Sequence, residues 1–366
     1  MKKIIFVVPS LVNTGPINVV YNIIKHLDKT VFNPVVFTLS EHPDAKMRAN
    51  RIFEKLGVEI IVNNYSKWYL QFHTKHIAKR LDKMFSSADC AFHAHGYYPT
   101  IIISNMVNRK TMTTIHNICE EDYVMTKGKL MGTYMACMFK RSLSRICVSV
   151  AISDMMKSHY ENSCNKVNIQ TVYNGVDVQV SQCCDSLIRE KLNISGTAKV
   201  LICPAVMSQL KNQRYIISEL KKSRFTDWIM LFAGDGPDSE YCKHIAGKDD
   251  RFRFLGFQKD LSEYWRISDF MVSASHSEGL PMAVLEALVQ GIPCLLSGIP
   301  SHREIVNNVF GNNKMLFDEN KEGEFATLLE NQIEKYNNHS EITHKALLLY
   351  SAASMSRGYQ NIYQRL

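Results

Sequence analysis

The sequence predicts an α/β protein built from two doubly wound domains, on three observations. Short apolar runs rich in β-branched residues recur along the 366-residue chain, each bounded by turn signals. Stretches with helical spacing of apolar residues lie between them. The alternation starts afresh near the middle, and the length suits two domains better than one.

KKIIFVVPS reads as a buried strand. It is followed by NTGPINVVYNIIKHL, where Val19, Val20, Ile23, Ile24 and Leu27 recur at helical spacing, and then by a second strand, NPVVFTLS. Strand, helix and strand within some forty residues form a βαβ unit, which requires a parallel sheet. VEIIVNN, CAFHAHG, TMTTIHN and SRICVSVAIS continue the series. After TVYNGVDV at 171–178 the pattern restarts with AKVLICPAV, WIMLFAGDG, FRFLGF, DFMVSAS and IPCLLSG, separated by helical stretches such as QRYIISELKKS and DLSEYWRIS. The expected layout is a first domain over 1–178, a second over 179–345, and a last helix within 346–366 packing back on the first.

Composition bounds the function. Hydrophobic residues make up 46% and charged residues 21%, which suits a folded globular chain and not extended disorder. The apolar run Ile4 to Val8 is too short for a secretion signal or a membrane span, so a cytoplasmic location is expected. Ten cysteines without a C-x-x-C pair argue for small apolar core residues, not a zinc site or disulfide framework. Residues 1–180 hold 22 basic against 13 acidic side chains and the remainder 21 against 22, so the first half should meet something anionic. No nucleic-acid-binding motif accompanies that charge, and an anionic membrane face carrying a lipid diphosphate or growing glycan suits it better. No G-x-G-x-x-G follows the first strand, which argues against a dinucleotide-dependent enzyme.

The most informative segment is HSEGLPMAVLEALVQG, residues 276–291. Pro281 suits a helix start and Gly291 its end, predicting a helix from about Leu280 to Gln290. Glu278 then lies in the preceding loop and Glu286 in the second turn. Free N–H groups near Gly279 and Leu280 form an anion site at the positive end of the helix dipole. The preceding strand DFMVSAS delivers this loop to the carboxyl end of a parallel sheet, where ligands of such folds bind. A diphosphate there, flanked by two acids holding sugar hydroxyls, explains both glutamates. By local sequence alone they could equally be a favourable first-turn acid and a solvated helix residue.

The stretch from Ser268 to Ser297, SDFMVSASHSEGLPMAVLEALVQGIPCLLS, resembles the signature of the retaining GT-B nucleotide-sugar glycosyltransferases of group 1, family 4-like, with two glutamates eight positions apart. FVVPSLVNTGP, FHAHG, TTIHN, AISD, TVYNGVDV, QLKNQ, FAGDGP and FLGF fall in that family's order, so the resemblance covers roughly residues 1–310. It implies two Rossmann-like domains facing across a cleft. It also implies roles: Glu278 holds donor-sugar hydroxyls, Glu286 the nucleotide ribose, Gly279 and Leu280 the diphosphate through their N–H groups, and Lys211 the phosphate charge. Gly15 of NTGP would approach the donor phosphates, with Asn13 beside it on the acceptor side. His116 would lie close to the transferred sugar and His95 would line the acceptor side. Gly234 in GDGP, a turn with positive-φ potential at its glycines, would lie near the nucleotide. Val206 stands where the family often has a phosphate-gripping arginine, and Ala274 where proline is common. His93 and His95 share one strand face, but no third ligand accompanies them and no Asp-x-Asp pair occurs, so no metal is expected.

The implied reaction is transfer of a UDP- or GDP-linked sugar to a hydroxyl of a glycan or polyprenyl-diphosphate-linked acceptor, with retention, in cell-surface polysaccharide biosynthesis. The nucleotide sugar is a substrate and no cofactor is expected. A GT-B epimerase and a non-catalytic sugar-nucleotide-binding subunit are the alternatives, the latter favoured by Val206 and the reduced glycine loop. Turnover of donor with acceptors separates the three.

Overall fold

The computed structural model describes residues 1–12, 14–42, 49–178, 183–223, 226–333 and 339–366. It divides into two compact units, Met1–Gly175 with Ala352–Leu366, and Val176–Ser351. These divisions lie a few residues from the expected boundaries at 178/179 and 345/346.

The first unit holds strands β1 (Lys2–Val8), β2 (Phe32–Thr38), β3 (Glu59–Val62), β4 (Cys90–His95), β5 (Lys110–Ile115), β6 (Val148–Ala151) and β7 (Ile169–Thr171). They form one all-parallel sheet in the order β3-β2-β1-β4-β5-β6-β7. Strand alternation sends Ile4, Phe6 and Val8 to one face and Ile5 and Val7 to the other, and all five are fully buried. The first face packs on the helix Gly15–Lys25 through Val19, Val20, Ile23 and Ile24 and on the last helix, Ala352–Arg365, through Met355, Tyr359, Ile362 and Tyr363. Each such side chain stabilises the unit by roughly 1.5–3 kcal/mol through burial. Ser356 Oγ also donates to the Ile23 carbonyl at 2.8 Å, pinning the two helices together.

The second unit holds β8 (Lys199–Cys203), β9 (Trp228–Phe232), β10 (Phe252–Phe254), β11 (Phe270–Ser273), β12 (Cys294–Ser297) and β13 (Leu316–Phe317). These also run parallel, in the order β10-β9-β8-β11-β12-β13. Each sheet therefore reverses its winding once, between β1 and β4 in the first unit and between β8 and β11 in the second. The loops leaving the carboxyl ends of those neighbouring strands diverge, which opens a crevice for a ligand.

Two strands escape the sequence reading. β7 has three residues and β13 two, too few to show a period, and both lie at sheet edges. Five of the ten cysteines are buried and four exposed, so burial accounts for only half of them, not most. The helix after β11 runs Met282–Val289, shorter than expected, with Pro281 as its extended N-cap instead of its first helical residue and Gly291 at φ 80° beyond its end. Among the described residues no helix is long and apolar enough to cross a membrane.

Candidate functional site

In the second unit the site assembles where the sheet reverses. β8 leads into a loop carrying Val206 and Lys211, and β11 into a loop carrying Glu278 to Pro281. The two loops are tied by a bond from the His276 N–H to the Leu210 carbonyl at 2.9 Å. Gln213, at the start of the next helix, is buried: its Oε1 accepts from Ser208 N at 3.3 Å and its Nε2 donates to Val206 O at 3.0 Å. That clamp holds the Lys211 loop from beneath.

Lys211 Nζ donates to Glu278 Oε1 in an ion pair whose side chains are 23% and 15% exposed. Ser275 Oγ donates to the same carboxylate oxygen at 2.7 Å. Behind this pair, Ser297 Oγ donates to Ser275 O at 2.7 Å, and His302 Nδ1 donates to Ser297 O at 2.9 Å. His302 is fully buried and desolvation pulls its pKa down to about 4, so it stays neutral. Ser275, Ser297 and His302 carry no role in the sequence reading. Their signal, small hydroxyl residues at consecutive strand ends in VSASHS and LLSGIPSH, is legible only once those ends are known to be neighbours.

Glu286 lies four residues into the helix Met282–Val289 and is partly buried, and burial raises its pKa to about 7. Among the described residues its carboxyl makes no hydrogen bond or ion pair. A desolvated, unpartnered acid is costly unless something else supplies donors to it. The N–H groups of Gly279 and Leu280 likewise have no acceptor among the described residues, although the Leu280 side chain is buried. A carboxyl that lacks donors and N–H groups that lack acceptors thus lie on one short stretch, matched to a ligand bearing both hydroxyls and an anion.

Gly234 differs from the expectation in its backbone conformation. Neither it nor Gly236 adopts positive φ. A Cβ at Gly234 would lie 1.9 Å from Ala205 O and one at Gly236 2.3 Å from Met207 O. These glycines let the loop after β9 lie against the loop after β8, so it is their small size that the packing uses. Val206 is 59% exposed on the β8 loop and adds no positive charge there.

In the first unit Pro16, Gly96, Tyr97 and His116 line a pocket of about 180 Å³ at the point where that sheet reverses. Gly15 opens the adjoining helix, and a Cβ there would meet nothing within 4 Å, so no protein contact demands glycine. Asn13 lies outside the described residues. His116 is half-buried at the pocket edge, with Nε2 3.0 Å from His95 Nδ1. His95 is 1% exposed, so it does not line an open surface; it stands behind His116. Its Nε2 is buried without a partner. Assigning the His95 proton to Nδ1 leaves that Nε2 as a lone pair instead of an unpaired N–H, makes His116 Nε2 the acceptor, and puts the His116 proton on Nδ1. Desolvation lowers the His116 pKa to about 4, so the ring is neutral at physiological pH. It can therefore donate one hydrogen bond but carries no charge.

His93 faces neither solvent nor pocket. Its Nδ1 lies 2.7 Å from Tyr363 Oη and its Nε2 2.8 Å from Thr114 Oγ1, which in turn lies 3.0 Å from Tyr359 Oη. The last helix thereby reaches into the sheet and fixes β4 and β5 where they carry His95 and lead to His116.

Two parallel, doubly wound units, with donors and acceptors left open where each sheet reverses, define the GT-B class. Anabaena HepE, solved in complex with UDP, shares the fold at a TM-score of 0.81 and 15% identity, with all of both chains covered. The model for glycosyltransferase family 4 matches residues 14–180 and that for glycosyl transferases group 1 matches 185–347. The chain belongs to the group 1 glycosyltransferases. It is 26% identical to the Bacillus anthracis N-acetyl-alpha-D-glucosaminyl L-malate synthase over 69% of either chain. It is 24% identical to the Escherichia coli O-antigen biosynthesis glycosyltransferase WclY over 100% of this chain and 98% of that one. To the Escherichia coli UDP-Gal:alpha-D-GlcNAc-diphosphoundecaprenol alpha-1,3-galactosyltransferase it is 26% identical, over 49% of this chain and 46% of the other.

Proposed function

We propose that this glycosyltransferase moves a hexosyl or N-acetylhexosaminyl unit from a UDP- or GDP-sugar to a hydroxyl of a glycan or lipid-diphosphate-linked acceptor, with retention, in cell-surface polysaccharide biosynthesis. The observation that carries the donor site is the unpartnered Glu286 carboxyl on the helix that begins beside the free N–H groups of Gly279 and Leu280. Glu286 takes ribose hydroxyls, the N–H groups and Lys211 take the diphosphate, and Glu278 takes hydroxyls of the donor sugar. Diphosphate arrival draws Lys211 from its pair with Glu278, freeing the carboxylate for the sugar as the leaving group gains its counter-charge. In the first unit the His116 Nδ1–H offers one neutral donor to a hydroxyl at its pocket.

A lipid-linked acceptor fits a surface of the first unit. The helices Cys119–Lys127 and Lys129–Leu143 pack so closely that a Cβ at Gly132 would lie 2.4 Å from Tyr123 O. Around their turn Met125, Leu130 and Tyr134 are 77%, 91% and 57% exposed, next to Lys127 and Lys129. Apolar side chains flanked by lysines suit the interface of an anionic bilayer.

A panel of UDP- and GDP-sugars screened by thermal shift, followed by turnover with acceptors, tests the reading. Glu278→Ala should abolish transfer in a folded protein. Full transfer in that variant overturns the site, and epimerisation or binding without turnover overturns the reaction.

A further inference from the structure

The second unit carries another pocket, of about 480 Å³, between the helices Gln213–Lys222 and Ser239–Ala246 and the loop after β13. Glu219 lines it although only 2% exposed, and its Oε2 is buried with no hydrogen-bond partner. Lys222 lies 3.9 Å from Glu219 Oε1 and is held by Glu322 at 2.7 Å. The lining sets Arg214 and Lys222 against Glu219, Glu319 and Glu322. Such a mixture does not select an anion; it suits a neutral molecule that both donates and accepts. Tyr241, 55% exposed at the wall, adds an aromatic plate, and His276 at the rim is two residues from Glu278.

We propose that this pocket binds one neutral sugar unit of a glycan, its hydroxyl donating to Glu219 Oε2 and its ring face resting on Tyr241. An O–H donor supplies what the buried carboxylate lacks without bringing a charge into a wall that already holds both signs. The pocket uses none of the donor-binding residues, so the inference stands apart from the proposed reaction.

The test uses the full chain and ligand-observed saturation-transfer NMR with galactose, glucose, N-acetylglucosamine, lactose and N-acetyllactosamine as probes. At least one should bind the wild type and, unchanged, the Glu278→Ala variant. Tyr241→Ala should weaken it about five-fold or more, from the loss of a ring contact worth about 1 kcal/mol, and Glu219→Gln should weaken it as well. Tyr241 is exposed, so its replacement does not threaten folding. Preference for the disaccharides assigns the pocket to a glycan chain, and equal binding of monosaccharides to a free sugar. Absence of binding, binding unchanged by Tyr241→Ala or by a folded Glu219→Gln, or binding lost in Glu278→Ala overturns the inference.

Discussion

Replacing Glu286 by Gln should make the second unit more stable and its donor site worse, and the pH dependence separates this from a packing effect. Burial raises the carboxyl from 4.5 to about 7. Between those values the folded state binds more protons than the unfolded state, so stability falls as pH rises through 4.5 to 7 and is flat above. At about 1.4 kcal/mol per unit the full shift is worth roughly 3 kcal/mol, and partial exposure reduces this to about 1–3 kcal/mol. Glutamine keeps the shape but cannot ionise. The variant should match the wild type near pH 4 and exceed it by that amount at pH 8, or by a few degrees in melting temperature for a unit of this size. Thermal unfolding from pH 4 to 8, read on both proteins, checks it. A stability difference that does not change with pH, or a variant less stable at pH 8, refutes the reasoning. In the same protein UDP or GDP should bind about 10–100-fold more weakly, from the loss of charge-assisted bonds to the ribose.

Two of the glycines singled out by sequence, Gly234 and Gly15, should behave oppositely. Gly234→Ala forces a Cβ to 1.9 Å from Ala205 O, so it should cost more than about 2 kcal/mol by chemical denaturation. Gly15→Ala meets open space, should leave stability within about 0.5 kcal/mol, and should raise KM for the donor if phosphate approaches that backbone. Tyr363→Phe leaves His93 Nδ1 unpaired in a buried place and should cost about 1–3 kcal/mol by the same measurement. Leu130→Glu with Met125→Glu should abolish flotation with anionic liposomes while soluble-acceptor turnover persists; unchanged flotation removes that surface from consideration.

Periodicity alone was enough to mark the strands of both sheets except β7 and β13, because buried parallel strands are short apolar runs and everything between them is not. It also placed Glu278 in the loop before a helix and Glu286 inside that helix, since a strand followed by a capped helix is a local pattern, whereas Lys211 was named by the family resemblance. What local pattern cannot carry is which loops are neighbours. The order β10-β9-β8-β11-β12-β13 puts the Lys211 loop beside the Glu278 loop, and only then do Ser275, Ser297 and His302 become the support of one carboxylate. The same holds for Gly234, whose flexibility reads as a turn in sequence but whose small size is what Ala205 requires. His93 and His95 look alike on one strand face, yet β5 and the last helix give one to Thr114 and Tyr363 and the other to His116. Sequence determined the elements and the chemical types at their ends, since these depend on neighbours along the chain. Tertiary structure alone decided burial and partners, and with them Glu286 as an unpaired acid, because desolvation depends on what packs around a group from elsewhere in the chain.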